Sequence, residues 1–167
     1  MEKLKNLKVE EIMTSPVHTL ASDWSLREAA QELLSRGYSG APVLDEKGGV
    51  IGVLTLQDIA RYAEWHLDVE AGAEELGAEK DLRRELDRKE RGLGSSMHID
   101  RLEDVTVRQV MTPAVSTISE GTPLAEATSR ILGGSIHRLF VVNKRGKLVG
   151  LVSTVDVVRA LHKQITR

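Results

Sequence analysis

Apolar and polar positions along the chain form one pattern that is written twice. Sliding the sequence against itself sets Met13-Thr14 over Met111-Thr112, an offset of 98, and the match runs without a gap from Val9 to Tyr62. Identical pairs at that offset include Val9/Val107, Leu26/Leu124, Ala29/Ala127, Val43/Val141, Gly52/Gly150, Asp58/Asp156 and Arg61/Arg159. Each copy predicts the same order of elements. A short helix ends at the Met-Thr pair, and an extended stretch follows over Val17 to Leu20 and over Val115 to Ile118. Leu26, Ala29, Ala30, Leu33 and Leu34 then recur at the spacing of one helical face, as do Leu124, Ala127, Ile131 and Leu132. Ser25 with Glu28 three residues on marks the start of the first of these helices, and Thr122 before Pro123 marks the second. Two apolar strands come next, Ala41 to Leu44 and Val50 to Leu54, joined by Asp45-Glu46-Lys47-Gly48-Gly49. Their counterparts, Leu139 to Val142 and Leu148 to Val152, flank Asn143-Lys144-Arg145-Gly146. A last helix opens at Thr55 and again at Ser153.

The expected fold class is α/β of the α+β kind: two pseudo-twofold-related βαββα repeats packed sheet to sheet. A three-stranded sheet with two helices is too small to bury both of its faces alone. The first repeat is expected over residues 1–62, a charged and mostly helical connector over 63–104, and the second repeat over 105–167. In the connector Glu79/Arg83, Glu85/Lys89 and Asp87/Arg91 sit four apart with the acid first, the favourable order on a solvated helix. Trp65, Leu76, Leu82, Leu86 and Leu93 would give that helix a thin apolar stripe.

Composition removes several classes of function. Aromatic residues are only 3% of the chain, so stacking platforms for single-stranded nucleic acid are not expected. A net charge of −2, from 23 basic and 25 acidic residues, gives no global drive toward nucleic acid or an anionic membrane. The chain has no cysteine, which removes disulfides, thiolate nucleophiles and Cys-based metal sites together. No run approaches the ~20 apolar residues that span a bilayer, and the protein is expected to be soluble and cytoplasmic. Its five histidines show no paired-ligand spacing, and no residue pattern supplies an activated nucleophile or an oriented base.

The sharpest local chemistry is Thr55-Leu56-Gln57-Asp58 and its counterpart Ser153-Thr154-Val155-Asp156, a hydroxyl three residues before a carboxylate where a strand turns into a helix. Two uses fit this spacing. The pair can cap the helix, satisfying free N–H groups of the first turn. It can also receive a ligand, with phosphates at the hydroxyl and helix N-terminus and ribose hydroxyls on the carboxylate.

The string Gly37-Tyr38-Ser39-Gly40-Ala41-Pro42-Val43-Leu44-Asp45, then Gly48, then Val50 to Ile59, strongly resembles the cystathionine-β-synthase (CBS) domain. So does Ile136-His137-Arg138-Leu139-Phe140-Val141-Val142 followed by Gly146, Leu148 to Ser153 and Asp156-Val157-Val158. The resemblance covers both repeats, about two thirds of the chain. It implies a paired arrangement, the Bateman module, that binds an adenosine effector (AMP, ADP, ATP or S-adenosylmethionine) in two clefts, needs no cofactor, performs no catalysis and forms a homodimer. Carried over by position, Thr55 and Asp58 would serve one cleft and Ser153 and Asp156 the other. Thr19 and Thr117 would line the adenine or ribose side, and Ser39, Gly40 and Ala41, with His137, Arg138 and Leu139, would meet base or phosphate. Phe140 stands where the first copy has Pro42 and is expected to reshape the second cleft. Gly37 and Ser135 occupy places where some nucleotide-binding relatives carry an arginine, with Arg36 and Arg138 nearby. The alternative is a dimeric protein-interaction scaffold with degenerate clefts, whose connector helix recruits a protein target.

Overall fold

The computed structural model describes residues 6–66, 84, 99–113, 115–134 and 136–166. The apolar stripe and the charge pairs expected along the connector lie outside these residues or on side chains not described. Two compact units form, and neither is one contiguous stretch of chain. One holds Met1–His18, Gly48–Val50 and Val115–Arg167, and the other Thr19–Lys47 and Ile51–Ala114. The segment that opens each repeat therefore folds into the unit of the other repeat.

The unit of the first repeat carries a sheet of β1 (Leu20–Ala21), β2 (Gly40–Leu44) and β3 (Val50–Thr55) in that order, with β1 parallel to β2 and Leu20 opposite Val43. Helices α1 (Leu26–Arg36) and α2 (Leu56–His66) accompany it, followed by a 3-10 turn at Ile99–Glu103 and the single turn of α3 (Val107–Val110). The unit of the second repeat opens with a 3-10 turn at Val9–Glu11. Its sheet is β4 (Thr117–Ser119), β5 (Arg138–Val142) and β6 (Leu148–Ser153), with helices α4 (Leu124–Gly133) and α5 (Thr154–Ile165). Strand β4 runs parallel to β5, and β5 antiparallel to β6 with Arg138 opposite Ser153.

Helix α1 forms where the pattern places it. The Ser25 hydroxyl accepts the Glu28 N–H at 3.2 Å and the Glu28 carboxylate accepts the Ser25 N–H at 2.8 Å. That backbone N–H, then the Ser25 hydroxyl, hold the Glu28 carboxyl below its ordinary value. Leu26, Ala29, Ala30 and Leu33 are buried on one face, and Gly37, at φ 70°, closes the helix in the left-handed conformation. Helix α4 corrects two expectations. Its N-cap is Pro123 without a side-chain bond, so Thr122 does not cap it. Leu132, expected on the apolar face, is 82% exposed.

The exchanged segments fix both helix starts and both sheets. The Leu26 N–H donates to the Val105 carbonyl and the Leu124 N–H to the Leu7 carbonyl, each at 2.8 Å. Thr112 exchanges two backbone bonds with Val53, at 2.9 and 3.0 Å, and Thr14 does the same with Leu151, at 2.8 and 3.0 Å. Each of these pairs repeats the other at the offset of 98. Leu102 and Val107 are fully buried in the core of the first-repeat unit, and Val9 in that of the second.

Candidate CBS ligand sites

Each repeat turns from strand to helix through the same set of bonds. In the first, the Thr55 hydroxyl donates to Asp58 Oδ2 at 2.6 Å and accepts the Asp58 N–H at 3.1 Å, and the Thr55 N–H donates to Asp58 Oδ2 at 2.9 Å. In the second, the Ser153 hydroxyl donates to Asp156 Oδ2 at 2.6 Å and accepts the Asp156 N–H at 3.3 Å, and the Ser153 N–H donates to Oδ2 at 2.9 Å. Both sequence-predicted pairs therefore form capping boxes.

The two carboxylates differ in burial. Asp58 is half-buried, whereas Asp156 is 6% exposed and holds two further partners on Oδ1. These are Arg159 Nη1 at 3.1 Å and, at 3.5 Å, the hydroxyl of Thr14 from the exchanged segment. Burying a carboxylate this deeply requires such partners.

The other predicted residues gather around the same turns. The Ser39 carbonyl accepts the Leu56 N–H at 2.9 Å, and the His137 carbonyl accepts the Thr154 N–H at 3.1 Å, which ties the entry of β2 or β5 to the start of the following helix. Gly40 lies against the Thr55 turn, since a Cβ there would stand 2.8 Å from the Leu54 carbonyl oxygen and 2.9 Å from Thr55 Cγ2. Ala41 is buried and Thr19 immediately precedes β1. In the second repeat Arg138 is opposite Ser153 and Leu139 opposite Val152, while Thr117 pairs with Phe140 across β4 and β5. Arg138 and His137 are exposed and Leu139 is buried.

Within the second-repeat unit the predicted residues divide between two cavities. Thr117 and Leu139 line one of about 500 Å³, together with Ser116, Ile136 and Arg130. Asp156 lines the other, of about 680 Å³, with Thr14, Arg159 and Lys163. Phe140, expected to reshape a cleft, is 3% exposed and belongs to the interior. The sequence reading did not single out Arg130, whose Nη1 donates to the Thr117 carbonyl at 3.3 Å, or Arg159. Arg159 could have been found, since it stands one helical turn after Asp156 and recurs as Arg61. Arg130 could not, because its counterpart in the first copy is Glu32. Arg36, weighed as a phosphate contact, bonds to Glu32 on its own helix at 2.5 Å.

Among the described residues no cluster of His, Asp and Glu could hold a metal ion, and no helix is long and apolar enough to cross a membrane. The model of the CBS domain family matches residues 9–64 and again 107–163, the two repeats with their strand-to-helix turns. The chain belongs to the CBS domain family.

The chain is similar to the uncharacterized 17.7 kDa protein in the bps2 3' region of Acidianus ambivalens, with 25% identity over 92% of this chain and 73% of that one. It spans between 27% and 90% of the length of the next three curated relatives that it matches. Among solved structures it resembles CBSX2 of Arabidopsis thaliana in complex with AMP, with a TM-score of 0.64 and 24% identity over 96% of this chain and 98% of that one. It also resembles the CBS domain pair of protein MJ0100 in complex with 5'-methylthioadenosine and S-adenosyl-L-methionine, with a TM-score of 0.61 and 22% identity over 95% and 98%. These likenesses establish the fold as that of a CBS domain pair.

Proposed function

We propose that this CBS domain pair is a regulatory module that binds an adenosine ligand, AMP, ADP, ATP or S-adenosylmethionine, and does no catalysis of its own. The observation that carries the reading is the recurrence of the hydroxyl–carboxylate turn beside the entry of β2 or β5 in both repeats. Thr55 with Asp58, and Ser153 with Asp156, would meet the ligand's phosphate or ribose, as would Ser39, Gly40 and Ala41 and, in the second repeat, His137, Arg138 and Leu139. Thr19 and Thr117 would lie on the base side. The complexes of CBSX2 with AMP and of MJ0100 with adenosine-derived ligands support this chemistry. Regulation then follows from a difference in ligand affinity between two conformations or assembly states, and the module acts as a homodimer.

The test is calorimetry of the protein with AMP, ADP, ATP and S-adenosylmethionine, repeated on Asp58→Ala and Asp156→Ala. At least one ligand should bind, with affinity lost in one of the two variants. Intact affinity in both variants would refute the site assignment, and no binding by the folded protein would refute the sensor. A second reading, a protein-interaction scaffold, is favoured by one observation: Asp156 already has both oxygens occupied by protein groups. It predicts capture of a protein target that depends on residues 63–96 and ignores nucleotide.

A further inference from the structure

The two hydroxyl–carboxylate turns share one set of capping bonds but differ at the other carboxylate oxygen. In each, Oδ2 takes both the hydroxyl and the N–H of Thr55 or Ser153, so Oδ1 is the oxygen left to meet a ligand. Oδ1 of Asp156 is already bonded, to Arg159 Nη1 at 3.1 Å and to the Thr14 hydroxyl at 3.5 Å. No described residue bonds to Oδ1 of Asp58, although the offset of 98 sets Arg61 and Thr112 at the matching sequence positions within the same unit.

Burial follows the same division, since Asp156 is 6% exposed whereas Asp58 is half-buried. A ribose diol can donate to a carboxylate oxygen only where that oxygen is open or gives up its protein partners. At Asp156 it would gain one charge-assisted bond and cost another, while the Asp58 oxygen requires no such exchange. The Arg159 side chain is 62% exposed, so its guanidinium can leave the carboxylate for water. The contact therefore competes with a ligand and does not wall the turn off. A site that is open only part of the time binds with its affinity reduced by that fraction.

We infer that Arg159 and Thr14 form a latch on the second turn and so make the two sites unequal: the ligand takes the Asp58 turn first, and reaches Asp156 only by displacing Arg159. The inference rests on the adenosine reading and adds to it an order of filling. Arg159 and Thr14 act here as positioning residues, which set when the second carboxylate becomes available.

The experiment titrates AMP and S-adenosylmethionine into the full chain by calorimetry, with thermal unfolding of every variant as the check on folding. One ligand should bind in two unequal steps, the second weaker by about tenfold or more, the size of one charge-assisted hydrogen bond. Asp58→Asn keeps one oxygen for the cap and turns the open acceptor into a donor, and should remove the stronger step. Arg159→Ala, and the double variant with Thr14→Val, change exposed side chains and should strengthen the second step about tenfold. A merely structural role for Arg159 would not produce that gain. Two equal steps, a stronger step that survives Asp58→Asn, or a second step that Arg159→Ala neither strengthens nor brings into view would each overturn the latch and leave the sensor reading standing. No binding by the folded protein would instead refute the sensor reading, and the latch with it.

Discussion

Gly52 leaves its side-chain space to Met111, whose sulfur lies 2.5 Å from where a Cβ on that glycine would stand, with the Thr112 carbonyl oxygen at 2.9 Å. Gly150 stands in the same relation to Met13, within the other unit. Neither glycine has a positive φ, so what forbids a side chain is the close approach of the exchanged segment. Gly52→Ala and Gly150→Ala should each destabilise the protein by about 1–3 kcal/mol, the usual cost of overpacking. Gly133 ends α4 with nothing within 4 Å of the place a Cβ would take, and Gly133→Ala should instead raise stability by up to about 1 kcal/mol. Urea denaturation of the three variants reads both signs. An unchanged midpoint for Gly52→Ala would mean that Met111 does not hold this position in solution.

The capping boxes make a prediction about stability that is independent of ligand. Ser153→Ala removes the hydroxyl that accepts the Asp156 N–H and should cost about 1 kcal/mol. Asp156→Asn should cost more, about 2 kcal/mol, because it leaves the Arg159 guanidinium without its carboxylate and disturbs a buried hydrogen-bond set. Asp58→Asn, at a half-buried site, should cost less than Asp156→Asn. Thermal unfolding without ligand gives the order, and equal losses at Asp58 and Asp156 would contradict the difference in burial.

Much of the fold was legible in the sequence because the two copies test each other. Leu26, Ala29 and Leu33 are buried as their spacing implies, and the Ser25–Glu28 box forms. The exchange was not legible, because an offset of 98 says that two segments are alike and not which body each one packs on. Gly52 and Gly150 were visible as an identity, but their reason lies in Met111 and Met13, which come from elsewhere in the chain. Thr122 failed as a cap because the N-cap position, held by Ser25 in the first copy, is taken by Pro123, which has no hydroxyl to accept a first-turn N–H. Of the candidate site, the Thr55–Asp58 and Ser153–Asp156 pairs were readable as local spacing. The Thr14 and Arg130 contacts were not, since each joins elements whose proximity only the folded chain creates.

Acid should weaken the start of α1. The folded-state pKa of Glu28 is lowered by the Ser25 N–H and hydroxyl, so its contribution is present above the unfolded carboxyl's pKa and is lost as pH falls through the folded value. Glu28→Gln should therefore lower the melting temperature at neutral pH, and the gap from the unmodified protein should close as the pH drops below the ordinary glutamate range. The side chain is exposed, so the gap is small. A gap that is constant from neutral to acid pH would show that the ionised carboxylate is not what caps the helix.

The second-repeat helices carry exposed apolar side chains. Val155, Val158, Leu161 and Ile165 fall within one 120° arc of α5 at 3.6 residues per turn, and are 59%, 64%, 44% and 74% exposed. Leu132 on α4 is 82% exposed. At the offset of 98 the counterparts of Val158 and Leu161 are Ala60 and Ala63, which are 1% and 0% exposed. Exposed apolar groups clustered in this way mark interaction surfaces, and the homodimer proposed for the module would cover them. Val158→Glu and Leu132→Glu should then shift the protein from dimer to monomer in sedimentation velocity. As changes to exposed side chains they should alter the stability of the folded chain by no more than about 0.5 kcal/mol. Gln57→Glu, at the exposed counterpart of Val155, should leave the assembly unchanged. A protein that sediments as a monomer before any substitution, across a dilution series, would remove the dimer from the proposal and leave this stripe for another partner.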